Sequence, residues 1–117
     1  MTALAALIDL GFAAFHLAFW TLFGWPASLA ASGPLNAAVT QTLNVMLTFV
    51  FLAYGGIVLS FATTGRSVAS AALLAGCAFW ALRFVLQLVL FQRHRPASIA
   101  IATIFGAAAV VHCLAAR

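Results

Sequence analysis

Apolar residues fill the chain in four long runs, and short stretches of polar or turn-forming residues separate them. The runs cover residues 3–23, 35–61, 67–91 and 97–116. Each is long enough to cross the hydrocarbon core of a bilayer as an α-helix, which takes about 20 apolar residues. None shows the strict alternation of a membrane β-strand. The pattern therefore predicts four transmembrane helices.

The connections between the runs are short and rich in residues that end or begin helices. Residues 24–26 (Gly-Trp-Pro) end the first run, and Pro34 suits the start of the second. Residues 63–66 and 92–96 form the other two connections, with Pro96 in the first turn of the last helix. Because such short connections make neighbouring helices antiparallel, we predict one all-α transmembrane domain over residues 1–117. It would be a polytopic four-helix bundle with both termini on the same side.

The composition supports a membrane location. Hydrophobic residues make up 67% of the chain and charged residues only 5%, whereas about a quarter of the residues in a soluble domain are charged. The first run lacks a basic segment before it, so we expect a retained span and not a cleaved signal peptide. We expect an integral membrane protein of a bacterial inner membrane.

The charges are few and carry a formal net charge of +4, from five arginines and one acid, Asp9. They form no basic stripe, so we do not expect nucleic acid as a partner. Arg66 and Arg117 fall on the face of the termini, and Arg93 and Arg95 on the opposite face. This tie gives no orientation by the positive-inside rule. It is compatible with insertion in both orientations and with an antiparallel homodimer.

Polar residues inside the predicted helices fall on one face of each of the first three helices. They are Asp9, His16 and Trp20 in the first helix, Gln41, Asn44 and Thr48 in the second, and Trp80, Arg83 and Gln87 in the third. With each midpoint placed at the bilayer centre, His16, Asn44 and Arg83 lie about 4 to 7 Å out, away from the termini. Trp20, Gln41 and Gln87 lie about 10 to 11 Å out on the same side. We predict that these stripes line one polar interior.

Among the polar residues of the spans, Arg83 gives the strongest indication of a ligand-binding site. A charge inside a span costs roughly 2.5 to 3.5 kcal/mol, and the only acid, Asp9, lies about 12 Å away in depth. The guanidinium could be satisfied by an anionic ligand, by backbone carbonyls, by the amides of Asn44 or Gln87, by water or by a partner subunit. It could also snorkel toward the surface. The predicted ligand-binding residues are Arg83, His16, Asn44, Gln41, Gln87, Trp20 and Trp80. For the amides, a purely structural hydrogen-bond network is the alternative.

Asp9, Tyr54 and His112 share a second depth, about 7 to 8 Å from the centre on the side of the termini. They are candidates for a buried ion pair or a proton relay. His16 and His112 lie in opposite leaflets, which does not favour haem, and the chain shows neither metal-ligand spacing nor a catalytic constellation. We therefore name no catalytic residue, metal or cofactor. The cysteines, Cys77 and Cys113, stand far apart without ligand spacing, and we expect inert apolar side chains.

Three functions remain open, and beside them a membrane enzyme that acts on lipids or on a quinone, for which the sequence names no chemistry. The first is binding or transport of an anionic or polar-headed small molecule or lipid headgroup. The second is proton-coupled efflux through Asp9: four helices with one carboxyl on the first resemble small multidrug transporters in outline. Asp9 replaces their glutamate, however, and their signatures in the second and third helices are absent, so the chain is not assigned to that family. The third is a non-catalytic accessory subunit that docks its last helix on a larger membrane complex.

Overall fold

The computed structural model describes residues 1–91 and 95–117, and within these ranges the chain is helical and contains no strand. The helices are α1 (Thr2–Leu17), α2 (Phe19–Leu22), a 3-10 helix (Ala27–Ser32), α3 (Pro34–Thr63), α4 (Ser70–Leu90) and α5 (Pro96–Ala115). Three of them, α3, α4 and α5, are long and apolar enough to cross a membrane. The prediction of an all-helical membrane protein is confirmed at this level. Arg93, used above to compare the two faces, lies outside the described residues.

The three long helices keep most of their surface turned outward. Only 22% of the apolar stretch of α3, 22% of that of α4 and 28% of that of α5 is buried within the chain. Large side chains such as Leu35 and Leu90 are 74% and 70% exposed. In water such apolar exposure would drive association, whereas hydrocarbon tails solvate it at no cost. The distribution of apolar side chains is therefore that of a chain surrounded by lipid or by other membrane helices.

Glycines in left-handed conformations end two of the helical segments. After α2, Gly24 has φ 63°, and the N–H of Trp25 donates to the carbonyl of Trp20 at 3.0 Å. This bond spans six residues and satisfies a carbonyl that the helix end leaves open. Gly65, with φ 70°, ends α3 in the same way. Both positions favour glycine because a Cβ is strained at positive φ.

The first predicted helix, residues 3–23, is divided into α1 and α2 by a turn at Ala18. The N–H of Ala18 is shared between the carbonyls of Ala14 at 3.1 Å and Phe15 at 3.2 Å. Beside this turn the Nδ2 amide of Asn44 donates to the carbonyl of His16 at 2.9 Å. A side-chain donor at this carbonyl stabilises the break, because it satisfies an acceptor where the regular ladder is interrupted.

The described chain divides into two compact units. One, Ala6–Ile57, is called the N-terminal unit; the other, Met1–Ala5 together with Val58–Arg117, is called the C-terminal unit. In the N-terminal unit, α1 and α3 approach closely at Gly55. A Cβ built there would lie 3.1 Å from the Cβ of Asp9, 3.1 Å from the Cγ of Leu10 and 3.2 Å from the carbonyl oxygen of Ala6. The absence of a side chain at this position lets the two backbones meet.

In the C-terminal unit, α4 and α5 form an antiparallel pair. Gln87 near the end of α4 contacts Ser98 near the start of α5, and Trp80 in the middle of α4 stacks on Phe105 in the middle of α5. The buried residues of the pair include several small ones, namely Gly76, Ala102 and Ala108. Small residues allow membrane helices to pack closely, so this pair is the framework that positions the polar side chains of the unit.

Candidate functional sites

An amide and indole pair joins α2 to α3 in the N-terminal unit. The indole N–H of Trp20 donates to Oε1 of Gln41 at 3.2 Å, and Nε2 of Gln41 donates to the carbonyl of Ala37 at 3.2 Å. The glutamine side chain thus uses both its acceptor and its donor. The prediction that Trp20 and Gln41 lie together at one depth agrees with this contact.

His16 precedes Trp20 by four residues and lies among aromatic rings. Its Nδ1 is 2.8 Å from the carbonyl oxygen of Phe12, and since a carbonyl can only accept, Nδ1 carries the proton. The imidazole stacks on Phe19, with centroids 4.7 Å apart and planes at 22°, and it tilts against Phe51 at 5.3 Å. These contacts hold the ring in one orientation, with Nδ1 toward the carbonyl of Phe12.

Asn44 is buried, at 5% exposure, and only one end of its amide is used. Its Nδ2 donates to the carbonyl of His16, while Oδ1 has no hydrogen-bond partner among the described residues. Exchanging the amide N and O would set two oxygens against each other, so this orientation is fixed. Thr48, one turn further along α3, donates from Oγ1 to the backbone carbonyl of Asn44 at 2.8 Å. The buried Oδ1 of Asn44 could therefore accept a hydrogen bond from a ligand donor.

Asp9 is almost completely buried, at 1% exposure, at the close approach of α1 and Gly55. Tyr54, on the neighbouring position of α3, interacts electrostatically with this carboxyl group. His112 is also fully buried, at 0% exposure, but it belongs to the C-terminal unit. The structure therefore brings together two members of the predicted relay, and the pairing of Asp9 with His112 stays a prediction.

Arg83 lies on the aromatic surface of the C-terminal unit. Its Cζ is 4.4 Å from the ring centroid of Phe105 and 5.3 Å from that of Phe91. The side chain is half-buried, and within residues 1–91 and 95–117 it makes neither a hydrogen bond nor an ion pair. Contact with the face of a ring occupies none of the five N–H donors of a guanidinium as a hydrogen bond would. The aromatic contacts thus leave these donors available to an acceptor.

Gln87 follows Arg83 by one helical turn, on the same face of α4. It is only 2% exposed; Nε2 donates to Oγ of Ser98 at 3.0 Å, and Oε1 has no partner among the described residues. If the amide were flipped, the hydroxyl of Ser98 would serve Oε1 and the amide N–H groups would be left instead. In either orientation one buried end of this amide lacks a partner, a cost of about 1 to 3 kcal/mol.

Phe105, on which Arg83 rests, also contacts Trp80, and Trp80 in turn contacts His112. Trp80, 1% exposed, stacks on Phe105 with centroids 5.7 Å apart and planes at 27°. The ring of His112 lies 6.4 Å from that of Trp80, and its Nδ1 is 2.8 Å from the carbonyl oxygen of Ala108. Trp80 thus fixes the ring on which the guanidinium of Arg83 rests, which is a positioning role.

One contact was not anticipated from the sequence. The side chains of Cys77 on α4 and Cys113 on α5 lie next to each other, and no disulfide joins them. The sequence contained a signal for it, because Cys113 follows Gly106 by two helical turns on the small-residue face of α5. Only the register of the two helices identifies its partner, and that register is a tertiary property.

The predicted site residues thus fall into two groups. His16, Trp20, Gln41, Asn44, Asp9 and Tyr54 lie in the N-terminal unit, and Trp80, Arg83, Gln87 and His112 in the C-terminal unit. That both groups line one interior stays a prediction. Among the residues that the structure describes, no three side chains of metal-ligating type lie together. The chain matches no protein-family model, no curated protein and no solved structure.

Proposed function

We propose that this protein is a small integral membrane protein that binds an anionic or polar-headed small molecule or lipid through Arg83. The observation that supports the proposal is the half-buried guanidinium on two aromatic rings, which makes no ion pair with any of the described residues. Arginine stays charged in proteins, so it cannot relieve this situation by losing its proton. An anion that meets the N–H edge satisfies the charge and forms charge-assisted hydrogen bonds.

The finer topology belongs to the same proposal. The helices α1 and α2 together extend from Thr2 to Leu22 and are proposed to act as one interrupted span, which with α3, α4 and α5 gives four. Both termini then lie on the same side of a bacterial inner membrane. Proteins of this size often complete a site by association, so a homodimer or a larger membrane complex is the proposed assembly. Transport, as opposed to binding, requires that the bound molecule leave on the other side.

The test compares lipid binding by the intact protein and its arginine variants. Purified protein in detergent is mixed with phosphatidylglycerol or with phosphatidylcholine, and native mass spectrometry measures the lipid-bound fraction. We expect preferential retention of the anionic lipid, and a loss of that preference in Arg83→Gln. A charge-assisted contact worth about 1.5 to 3 kcal/mol corresponds to roughly 10- to 150-fold weaker binding. Arg83→Lys, which keeps the charge but not the planar fork, should fall between the two.

Arg66 provides the matched control. Its Cζ also rests on an aromatic ring, 5.1 Å from the centroid of Phe61, but the residue is exposed after the end of α3. Arg66→Gln removes the same charge from the chain and should leave the preference unchanged. Equal binding by wild type and Arg83→Gln, or an equal loss in Arg66→Gln, would contradict the proposal. Competition with inorganic phosphate then distinguishes the two sources of the anion. If phosphate displaces the bound lipid, the site takes a soluble anion; if it does not, the site takes a lipid headgroup.

Proton-coupled efflux through Asp9 is the second proposed function. The observation that favours it is the burial of the only acidic side chain of the chain, at 1% exposure, within the apolar first helix. Such a carboxyl group is costly in a membrane and is commonly part of a proton pathway. Vesicles with an imposed pH gradient should move a lipophilic cation when they contain wild-type protein but not when they contain Asp9→Asn. Transport that survives Asp9→Asn excludes this function.

A further inference from the structure

The two cysteines of the chain face each other across the α4–α5 pair. Phe84 of α4 contacts Gly106 of α5, where a Cβ on the glycine would lie 3.6 Å from the phenylalanine ring. Cys77 precedes Phe84 by seven residues, and Cys113 follows Gly106 by seven. Seven residues are close to two helical turns, so in an antiparallel pair this step returns both helices to the same face. The proximity of the two side chains agrees with that register.

The surroundings permit a covalent link at this position. Gly76, next to Cys77 on α4, is buried, and so is Ala108, five residues before Cys113 on α5. Small residues at the contact let the two backbones approach, which a disulfide requires because its Cα atoms lie about 4.4 to 6.8 Å apart. The chain has no third cysteine that could compete for either thiol.

The thiols lie inside apolar helices but are not sealed off. Both cysteines are half-buried, and both belong to helices that are long and apolar enough to cross a membrane. An oxidant that reaches them must therefore dissolve in hydrocarbon. Quinones of the membrane meet this requirement and accept two electrons together with two protons.

We propose that Cys77 and Cys113 are a dithiol that a membrane-soluble quinone oxidises to an intramolecular disulfide joining α4 to α5. Two S–H bonds break and one S–S bond forms. The two electrons and two protons pass to the quinone, which becomes a hydroquinone. The site is independent of ligand binding at Arg83, and in its oxidised form it links the first half of α4 to the end of α5 near His112.

The test uses the whole protein, reduced and then reconstituted in phosphatidylcholine vesicles with a short-tailed quinone. Intact mass spectrometry and maleimide labelling of the denatured protein report the state of the thiols. The expected result is loss of the mass of two hydrogen atoms and of both reactive thiols, in a product that stays monomeric. Formation of hydroquinone, followed by its absorbance, should match the thiols lost.

Cys77→Ser and Cys113→Ser are the matched controls, since each removes one thiol and changes a single atom. With a single thiol, the monomeric form of either variant should keep its mass and should produce no hydroquinone. Wild-type thiols that persist beside the quinone overturn the proposal, as does a disulfide formed only between two chains. A parallel sample receives oxidised glutathione in the aqueous phase. Oxidation as fast as that by the quinone overturns the assignment of the oxidant, and its absence supports that assignment.

Discussion

Gly55→Ala offers a direct measure of how closely α1 and α3 pack. The added methyl group would lie 3.1 Å from Asp9 Cβ, 3.1 Å from Leu10 Cγ and 3.2 Å from the carbonyl oxygen of Ala6. Carbon atoms in ordinary contact are about 3.5 to 4.0 Å apart. One of the three neighbours is backbone, which cannot rotate away as a side chain does. The methyl group therefore forces the helices apart or distorts them.

The adjacent Gly56 makes the magnitude measurable. A Cβ built at Gly56 meets no atom within 4 Å. Both substitutions replace glycine by alanine inside α3, so both gain about 0.5 to 1 kcal/mol of backbone entropy. Overpacking costs about 1 to 3 kcal/mol, and only Gly55→Ala suffers it. The common gain cancels when the variants are compared, so Gly55→Ala should be about 1 to 3 kcal/mol less stable than Gly56→Ala, or roughly 5- to 150-fold in the unfolding equilibrium.

The assay is reversible unfolding of the protein in mixed micelles, with the fraction of the denaturing detergent raised stepwise. Circular dichroism and tryptophan fluorescence follow the transition, and agreement of the two probes supports a two-state reading. Gly56→Ala should unfold at the same detergent fraction as wild type or at a higher one, and Gly55→Ala at a lower fraction than Gly56→Ala. Equal midpoints for the two variants would refute the close approach of α1 and α3.

Three further substitutions should give ordered results in the same unfolding assay. Asn44→Leu removes the unpaired Oδ1, but it also takes the donor from the His16 carbonyl, which as backbone cannot turn to another partner as the Ser98 hydroxyl beside Gln87 can. It should therefore cost about 0.6 kcal/mol, up to about 1.7, and an unchanged midpoint would show that the break in the first helix needs no donor. Ser98→Ala leaves the Gln87 amide with no partner and should cost about 1 to 3 kcal/mol, most of which the double variant Ser98→Ala with Gln87→Leu should recover. Phe105→Leu removes the ring beneath the arginine and should cost about 1 to 3 kcal/mol, against a near-neutral result if the aromatic contacts are incidental.

The pattern of apolar runs was enough to predict the long helices. Predicted spans 35–61, 67–91 and 97–116 correspond to α3, α4 and α5 within a few residues, because turn-forming residues mark their ends. The pattern failed at Ala18, where the first predicted helix is interrupted. No glycine or proline marks that position, and the donor that accompanies the break is Asn44, on another helix. Local sequence cannot report a hydrogen bond made across tertiary structure.

The candidate sites were predictable only where their residues belong to one helix or share one depth. Helical spacing placed Arg83 and Gln87 on one face of a helix, and the indole of Trp20 meets Gln41 as their equal depth suggested. The aromatic rings under Arg83 come from α5 and from Phe91 after the end of α4, so they depend on how the helices fold back. The cysteine pair depends on register in the same way. Spacing along one helix is therefore readable from sequence, and pairing between helices is not.

Gln87 allows packing and binding to be told apart. An amide retained only for packing would be expected to use both its ends, as that of Gln41 does with Trp20 and Ala37. Gln87 uses one end, and the other is buried without a partner among the described residues. Replacing it by leucine removes that cost, so Gln87→Leu should be at least as stable as wild type. If this variant also loses the preference for the anionic lipid, the amide serves the ligand at the expense of stability, a trade that natural binding sites commonly make.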